Sequence, residues 1–290
     1  MSRIAYVNGR YVPHAQAAVH IEDRGYQFAD GVYEVCEIRH DKIVDQGRHL
    51  DRLDRSLREL EINWPVSRSA LQVIMRELVR KNRVHNGLVY LQVTRGVAPR
   101  DHGFPSTETP AALVITAKSV VPASPGKLTG IEAISVPDNR WERVDIKTVS
   151  LLPNCLAKEQ ADRQGAGEAI FVDVDGNVTE GSSTNVWIVT QDNDLITRPA
   201  EQGILRGITR QGVLDTAASL GLTVTERAFS LDEAKQAREV FLTSATKTVK
   251  PILRIDAQSI GNGDVGEVTT RLRQAFHDHT EHSSPVSKFF

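Results

Sequence analysis

The sequence predicts an α+β protein with a small α/β domain at the N-terminus and a larger, strand-rich domain at the C-terminus. Three observations carry this prediction. Apolar runs flank the dipeptide Asn8-Gly9, which is a strong signal for a β-hairpin. Two stretches within residues 48–82 repeat apolar residues at the helical period. Beyond residue 130, β-branched segments separated by sharp turns dominate the chain.

The best candidate for an interdomain linker lies near the middle of the chain. The stretch from Ser119 to Gly130 contains several prolines and glycines and shows no clear periodicity. A chain of 290 residues can form one large domain or two ordinary ones. We therefore predict an N-terminal domain at 1–119, a linker at 120–129 and a C-terminal domain at 130–290.

The N-terminal domain is predicted to begin with the hairpin around Asn8-Gly9 and to continue with strands and helices. Leucines at the helical spacing predict the first helix, which Pro65 ends, and apolar residues at a similar spacing predict the second. The predicted strands are Gly31–Arg39, Leu88–Arg95 and Ala111–Ala117, and the predicted helices are Arg48–Ile62 and Ser69–Asn82.

The C-terminal domain is predicted to contain strands on either side of sharp turns, together with helices that have recognisable ends. A capping box at Ser230–Glu233 predicts the start of a short helix, and Gly221 predicts the end of another. The last residues, 283–290, are predicted to be frayed. The predicted strands are Ile131–Val136, Ala169–Val174, Thr184–Val189 and Val240–Thr243, and the other helices are Cys155–Arg163, Ile208–Leu220 and Gly266–His282.

The composition argues against several classes of function. A net charge of -2 gives no reason to expect a nucleic acid or an anionic membrane as partner. Cys36 and Cys155 are the only cysteines, which argues against a disulfide framework or a cysteine-rich metal site and fits a reducing cytoplasm. The histidines are dispersed, so no metal site is expected. The N-terminus lacks an apolar signal core, and no apolar run approaches ~18 residues, so neither export nor a membrane span is expected.

Lys147 is the strongest candidate for a catalytic residue. It stands in the mostly apolar run Val144–Val149, where loss of solvation would favour the neutral, nucleophilic amine. A lone lysine at a strand edge would more often be solvated. Two other stretches favour the catalytic interpretation of Lys147. Asn177–Asn185 offers the carboxylate of Glu180 on a tight turn, and Gly203–Arg210 offers a helix start suited to phosphate. An amine, a carboxylate and a phosphate cradle together describe a pyridoxal-phosphate site.

Six motifs, in order along the chain, carry a family resemblance. They are DRGYQFADGVYEV (23–35), HLDRL (49–53), TRGVAPRDHGFP (94–105), DIKTVSLL (145–152), VTEGSSTNV (178–186) and LRGITR (205–210). With them the chain resembles the fold type IV pyridoxal-phosphate-dependent transaminases, and within that family the bacterial D-amino acid (D-alanine) aminotransferases. The match runs from Tyr6 to about residue 280. The resemblance implies a C-terminal pseudo-barrel domain that binds pyridoxal 5'-phosphate.

The resemblance also implies roles for individual residues toward the cofactor. Lys147 would bind it covalently and then move a proton between the substrate α-carbon and the cofactor C4′. Glu180 would face the pyridine nitrogen and keep it protonated, although a turn-capping carboxylate is the ordinary interpretation. Arg52 would bind the phosphate. Without the resemblance, an arginine on a helix face would be expected to be solvated. The other implied cofactor contacts are Ser183, Leu205 on a ring face, Ile208 and Thr209 at the phosphate, and Ser244 and Thr246.

The resemblance assigns the substrate to a second set of residues. Arg100 and His102 stand two apart on a proline-flanked loop, so both side chains can point the same way, and such a pair suits a carboxylate. In the family this loop covers the neighbouring subunit's site, which implies a homodimer in which the trapped α-carboxylate selects D over L. Without the resemblance, an exposed arginine and a solvated histidine would be expected. The implied substrate contacts are Tyr33, Val35, Arg100, His102, Ser244 and Ala245.

One loop departs from the family pattern. In LTSATKT (242–248), Ala245 stands where a phosphate-binding threonine is expected, and Lys247 replaces a small residue. A methyl group cannot donate a hydrogen bond, so Thr246 or water is expected to serve the phosphate instead. The amine of Lys247 would attract an acidic substrate side chain, unless it points to solvent.

The activity implied is transfer of the amino group of D-amino acids, such as D-alanine or D-glutamate, to 2-oxoglutarate or pyruvate. A branched-chain L-amino acid transaminase is an alternative, but a YEGxR-like continuation would be expected where the chain has Tyr33–Glu37. An (R)-amine transaminase or aminodeoxychorismate lyase is a further alternative, but the pair Arg100 and His102 argues against an amine substrate that has no carboxylate. A catalytically silent binding module is a third alternative, against which Lys147 and Glu180 argue.

Overall fold

A computed structural model describes residues 3–120, 128–201 and 203–282. These residues fall into two compact units, one within Met1–Ala123 and Ile146–Ser150, the other within Ser124–Asp145 and Leu151–Phe290. Residues 146–150 therefore belong to the first unit, although the sequence places them in the C-terminal domain. Most of the predicted linker at 120–129 and all of the predicted frayed end at 283–290 lie outside the described residues.

The described part of the first unit contains a six-stranded sheet in the order β2-β1-β6-β5-β3-β4. Its neighbouring strands are antiparallel. Asn8 and Gly9 take positive φ values of 43° and 90° between β1 and β2, which confirms the predicted hairpin. The strands are β1 Ile4–Val7, β2 Arg10–Pro13, β3 Gly31–Arg39, β4 Lys42–Ile43, β5 Gly87–Thr94 and β6 Ala112–Ser119.

The α-helices described in the first unit are α1 Arg24–Phe28, α2 Gln46–Glu59 and α3 Arg68–Asn82. The two longer helices, α2 and α3, pack on the sheet through the apolar faces that the sequence predicts. Leu50, Leu53 and Leu57 of α2 are buried in one core with residues of α3 and the sheet. The short α1 is absent from the predictions because five residues are too few to show a helical period. The Asp23 side chain starts it by accepting from the Gly25 backbone N–H at 2.8 Å.

The second unit contains a nine-stranded sheet in the order β12-β11-β10-β13-β14-β7-β8-β9, with β15 pairing β14, within the described residues. The pairs β7–β8, β7–β14 and β11–β12 are parallel. The sequence does not predict β9, β11, β12, β14 or β15, several of which are too short or too uniformly buried to alternate. The strands are β7 Ile131–Pro137, β8 Glu168–Val172, β9 Val178–Gly181, β10 Asn185–Val189, β11 Leu195–Thr197, β12 Val224–Glu226, β13 Glu239–Ser244, β14 Thr248–Ile255 and β15 Gln258–Ser259.

The helices of the second unit are α4 Leu152–Arg163, α5 Ile208–Ser219, α6 Leu231–Gln236 and α7 Glu267–His282. Ser230 caps α6 as the sequence predicts, accepting from the Glu233 N–H at 3.0 Å. The buried carboxylate of Glu239 starts α7 by accepting from the N–H groups of Val268 and Thr269 at 3.0 and 2.8 Å. None of the helices in the described ranges is long and apolar enough to cross a membrane.

Candidate active site

In the first unit, Lys147 lies at the edge of β3. The Tyr33 N–H donates to the Lys147 carbonyl at 3.0 Å, and the Val149 N–H donates to the Gly31 carbonyl at 3.0 Å. The Lys147 N–H is in turn 3.4 Å from the hydroxyl of Ser56 on α2. These bonds fix the backbone at Lys147 to the start of β3, which is why the segment groups with the first unit.

The amine of Lys147 lies over the ring of Tyr33, with Nζ 4.1 Å from the ring centroid. Across residues 3–120, 128–201 and 203–282 this amine has no hydrogen-bond partner. The residue is half-buried rather than fully desolvated. Lys147 therefore offers an amine that is positioned by the backbone and is not tied to a carboxylate.

The alternation of β3 separates the predicted substrate residues from the helices. Tyr33 and Val35 lie on one face, where the Tyr33 ring packs 5.7 Å from the ring of Tyr90 on β5. The Tyr90 hydroxyl donates to Gln92 at 2.7 Å. Burial, together with Tyr33, raises the pKa of Tyr90 to about 12. Tyr90 is therefore a neutral donor at physiological pH.

The opposite face of β3 presents Glu34 to α2, and this residue is absent from the predicted site. Its fully buried carboxylate accepts from Arg52 Nε at 2.7 Å and from Arg52 Nη2 at 2.8 Å. The Nδ1 atom of His49 lies 2.7 Å from the same carboxylate. Arg52 and His49 stand three apart on α2, so both reach Glu34 from one helix face. A signal in the sequence could have predicted this cluster. It is an acidic residue on the buried face of a strand, combined with the motif HLDR (49–52) on the helix that faces it.

The charges in this cluster support one another. Burial alone would raise the pKa of Glu34, but the charge and hydrogen bonds of Arg52, with those of His49, lower it to about 2. Although burial acts to lower the pKa of Arg52, Glu34 raises it overall. The carboxylate thus keeps both the charge and the orientation of the predicted phosphate-binding arginine.

Arg100 and His102 are exposed on the loop after β5, and both contact the ring of Phe28. The Arg100 guanidinium lies 5.2 Å from the centroid of this ring, and the imidazole of His102 lies 5.5 Å from it. The two side chains therefore lie at the same aromatic ring, as their spacing suggests.

In the second unit, Glu180 lies near the end of β9, in a polar cluster. Its Oε2 atom lies 2.5 Å from Arg140 Nη1. Its Oε1 atom accepts from the Leu205 backbone N–H and, at 3.3 Å, from Asn185 Nδ2. Asn185 Nδ2 also donates to the Leu205 carbonyl at 2.9 Å. The predicted ring-nitrogen partner and the predicted ring-face residue Leu205 are thus held together by Asn185.

Arg140 is a further site residue that the sequence does not predict. Its side chain is only 4% exposed, and the carboxylate of Asp138 holds it through Nε at 2.9 Å and Nη2 at 2.7 Å. Its guanidinium also lies 4.5 Å from the ring centroid of Phe171. Burial would raise the pKa of Asp138, but the hydrogen bonds and charge of Arg140 lower it. Asp138 and Arg140 together fix where the Glu180 carboxylate lies.

The predicted phosphate-binding residues Ile208 and Thr209 form the first turn of α5, as the sequence predicts. Among the described residues no side chain caps this helix, whose N-cap is Gly207, so its first N–H groups are suited to an anion. Gly207 is required there, because a Cβ atom would lie 2.1 Å from Asn185 Oδ1. The same asparagine that holds Leu205 therefore lies directly against the start of α5.

The turn between β9 and β10 places its two serines differently. Ser183, predicted to bind the cofactor, is exposed. Ser182 is buried, and its hydroxyl and N–H both donate to the buried carboxylate of Glu168. Lys247 Nζ lies 3.2 Å from the same carboxylate. An attraction of Lys247 for an acidic substrate is therefore not supported, since Glu168 already pairs with its charge.

Ser244 is the last residue of β13, and Ala245 and Thr246 lie in the loop that joins β13 to β14. The hydroxyls of Ser244 and Thr246 lie 3.3 Å apart, and the Lys247 N–H donates to the Ser244 hydroxyl at 3.1 Å. Thr246 is exposed, whereas Ser244 and Ala245 are half-buried. In the part of the chain that the structure describes, no group of His, Cys, Asp and Glu could hold a metal ion.

Comparison with known proteins identifies the family. The family model for amino-transferase class IV matches residues 31–255. The D-alanine aminotransferase of Staphylococcus haemolyticus is 37% identical over 279 residues, which cover 96% of this chain and 98% of the relative. The D-alanine aminotransferase of Bacillus licheniformis is 41% identical over 271 residues, which cover 93% and 95%.

A solved structure agrees with these relatives. The branched-chain amino acid aminotransferase from Escherichia coli has a TM-score of 0.87 and 25% identity, covering 100% of this chain and 98% of that chain. These residues suit the cofactor of such enzymes. Within the part of the chain that the structure describes, they include an amine without a hydrogen-bond partner, a fixed carboxylate and a helix start without a side-chain cap. The predicted fold type IV architecture is confirmed. The chain belongs to the class IV aminotransferases, the fold type IV enzymes that depend on pyridoxal 5'-phosphate.

Proposed function

We propose that this aminotransferase moves the amino group of D-amino acids, such as D-alanine and D-glutamate, to 2-oxo acids such as pyruvate and 2-oxoglutarate. The observation that carries the proposal is the pair Arg100 and His102, a guanidinium and an imidazole at the ring of Phe28. Such a pair suits a substrate α-carboxylate. Relatives named D-alanine aminotransferase, 37% and 41% identical over nearly the whole chain, support it.

Lys147 is the proposed catalytic residue. When bound, the cofactor supplies an electron sink for the charge that develops at the substrate α-carbon. Lys147 Nζ would hold the cofactor covalently and, once released, would accept and return the α-proton. The support is that the amine is positioned by β3 and has no hydrogen-bond partner within the described residues.

The remaining cofactor contacts follow from the same proposal. Glu180, fixed by Arg140, would face the pyridine nitrogen and keep its proton in place. Arg52, held in a fixed orientation by Glu34, would supply a cation to the phosphate. Leu205 would pack on the ring, Ile208 and Thr209 would donate to the phosphate from the start of α5, and Ser183, Ser244 and Thr246 would complete the cofactor contacts.

The proposed substrate contacts are Tyr33, Val35, Arg100, His102, Ser244 and Ala245. Arg100 and His102 are exposed on a loop of the first unit, which supports a role at the site of a second copy of the chain. The proposal therefore includes a homodimer, located in the cytoplasm. Of the alternatives, branched-chain L-amino acid transamination is favoured by the solved structure of that name, at 25% identity.

The test is a single-turnover half-reaction of the purified holoenzyme, followed by loss of the cofactor absorbance. D-alanine and D-glutamate are expected to react faster than L-leucine and L-valine, because the held α-carboxylate determines which hydrogen faces Lys147. The Lys147→Ala variant is the control for reaction without the catalytic amine. Faster reaction of the L substrates would reject the D-amino acid proposal in favour of the branched-chain alternative.

A further inference from the structure

We propose that Arg24 is a positioning residue that holds the loop of Arg100 and His102 in its substrate-binding conformation. The inference rests on the proposed function, in which this loop binds the substrate α-carboxylate. Arg24 itself is buried, with 3% of its surface exposed, and would not touch the substrate. It would act through the loop backbone.

Arg24 holds three successive carbonyl groups of the loop. Its Nη1 atom donates to the Asp101 carbonyl at 2.7 Å and to the Gly103 carbonyl at 3.2 Å, and its Nη2 atom lies 3.5 Å from the His102 carbonyl. Asp101 tightens the same turn by accepting from the Gly103 N–H at 2.8 Å through its side chain. A planar guanidinium can hold several carbonyls in one fixed arrangement, which a point charge such as an ammonium cannot.

The orientation of Arg24 is itself fixed from the opposite side. Its Nε atom donates to Asp30 at 2.8 Å. Asp30 also accepts from Arg95, from Nε at 2.7 Å and from Nη2 at 3.0 Å. Loss of Arg24 would therefore leave Asp30 with a buried cationic partner, so the fold would lose less than it would from an unpaired buried charge.

Phe28 couples the same arginine to the side chains that would bind substrate. The guanidinium of Arg24 lies 4.8 Å from the centroid of the Phe28 ring, which also contacts Arg100 and His102. Arg24 and Phe28 are both in α1, which is absent from the sequence predictions. The short helix thus supports the loop by hydrogen bonds to its backbone and by ring contacts to its side chains.

Most residues of the loop that follows β5 are exposed, including Arg100 and His102. If Arg24 were lost, water could satisfy the freed carbonyls, but it would not select one loop conformation. The cost would therefore fall on binding of the carboxylate rather than on proton transfer by Lys147. A misplacement of about 1 Å in a binding group can cost up to about 100-fold.

The experiment uses the Arg24→Met and Arg24→Lys holoenzymes, with Arg39→Met as the matched control. Arg39 is likewise an arginine of the first unit paired with a carboxylate, Glu37 at 2.9 Å, but it lies at the far end of β3. Half-reactions with D-alanine give a half-saturating concentration and a limiting rate for each protein. Propanoate, a carboxylate without an amino group, serves as a competitive inhibitor that reports carboxylate binding alone.

For Arg24→Met we expect the half-saturating concentration and the propanoate inhibition constant to rise together by about tenfold, with the limiting rate little changed. Arg24→Lys should show the same change to a smaller extent, because it retains a cation beside Asp30 but lacks the planar guanidinium that holds the loop carbonyls. If Arg24→Met does not fold with cofactor, Arg24→Lys carries the same test. Unchanged carboxylate binding in the folded variants, or an equal rise in Arg39→Met, would overturn the proposal.

A double-variant cycle separates this inference from the proposed function. If Arg24 acts through the loop, Arg24→Met should add little to the binding defect of Arg100→Met. Fully additive defects would show that Arg24 acts elsewhere, and would overturn the inference alone. Unchanged propanoate inhibition in Arg100→Met itself would instead reject the proposed carboxylate subsite.

Discussion

The buried cluster of Glu34, Arg52 and His49 makes a sharp prediction for the variant Glu34→Gln. The substitution removes the charge that both neighbours face, and it presents an amide N–H group where an acceptor is needed. Arg52, whose side chain is 10% exposed, would then keep its charge without this carboxylate. Removing one partner of a buried ion pair costs about 3–5 kcal/mol.

The pKa of Glu34 gives a second estimate of the same magnitude. A decrease from 4.5 to about 2 corresponds to a preference for the ionised form of about 3 kcal/mol. For a chain of this length, ~3 kcal/mol lowers the melting temperature by about 6–12 °C. We therefore expect Glu34→Gln to melt lower by that amount at pH 7.

The pH dependence has a definite sign. Because folding lowers the pKa of Glu34, its stabilisation is fully present above pH 4.5 and is lost as the pH falls toward about 2. The melting temperatures of the wild type and of Glu34→Gln should therefore converge as the pH falls below 4.5. The matched control is Glu37→Gln on the same strand, whose half-exposed carboxylate pairs with Arg39 and should change stability by less than about 1 kcal/mol.

The assay is thermal unfolding of the holoenzyme, followed by circular dichroism from pH 7 to pH 3. The cofactor absorbance is recorded on the same samples, because a disoriented Arg52 should also weaken retention of the phosphate. A Glu34→Gln protein as stable as the wild type at pH 7 would refute the reasoning. A deficit that stays constant across the pH range would also refute it.

Three further outcomes are expected. Glu180→Gln should retain the cofactor but slow the half-reaction about 100-fold, since loss of one charge-assisted contact in a closed site costs about 3 kcal/mol. An unchanged rate would show that Glu180 does not face the ring nitrogen. Mixing inactive Lys147→Ala and Arg100→Ala chains should restore part of the activity in hybrid dimers, and properly formed hybrids without activity would count against a shared site. Gly207→Ala should destabilise the protein by about 1–3 kcal/mol, because its Cβ would lie 2.1 Å from Asn185 Oδ1, and an unchanged melting temperature would contradict that packing.

Lys247 illustrates how the structure redirects a hypothesis about specificity. From the sequence, its amine was free to attract an acidic substrate side chain. The structure instead pairs it with the buried Glu168, whose carboxylate also binds the Ser182 hydroxyl. Lys247 thus ties the loop of Ser244 to the turn after β9. Recognition of the side-chain carboxylate of D-glutamate would therefore need a cation other than Lys247.

Local features of the chain were predictable because local chemistry determines them. Asn8-Gly9 supplies two positive φ values, so the hairpin follows from the dipeptide itself. The leucines of α2 recur at the helical period, and Ser230 caps α6 through its own side chain. The family also followed from the sequence, because its motifs stand in order along nearly the whole chain. The roles of Lys147 and Glu180 come from that resemblance and stay predictions.

Other features depend on residues that are distant in the sequence, and only the tertiary structure decided them. Strands such as β9 and β11 are buried on both faces, so they lack the alternation that predicts a half-exposed strand. Glu34 and Arg140 were missed because a charged residue is expected at the surface until its partners are known. Their partners, Arg52 for Glu34 and both Asp138 and Glu180 for Arg140, meet them only after strands and helices pack. For these two charged residues, burial and pairing depend on partners that are distant in the sequence, so they are settled only when the fold assembles.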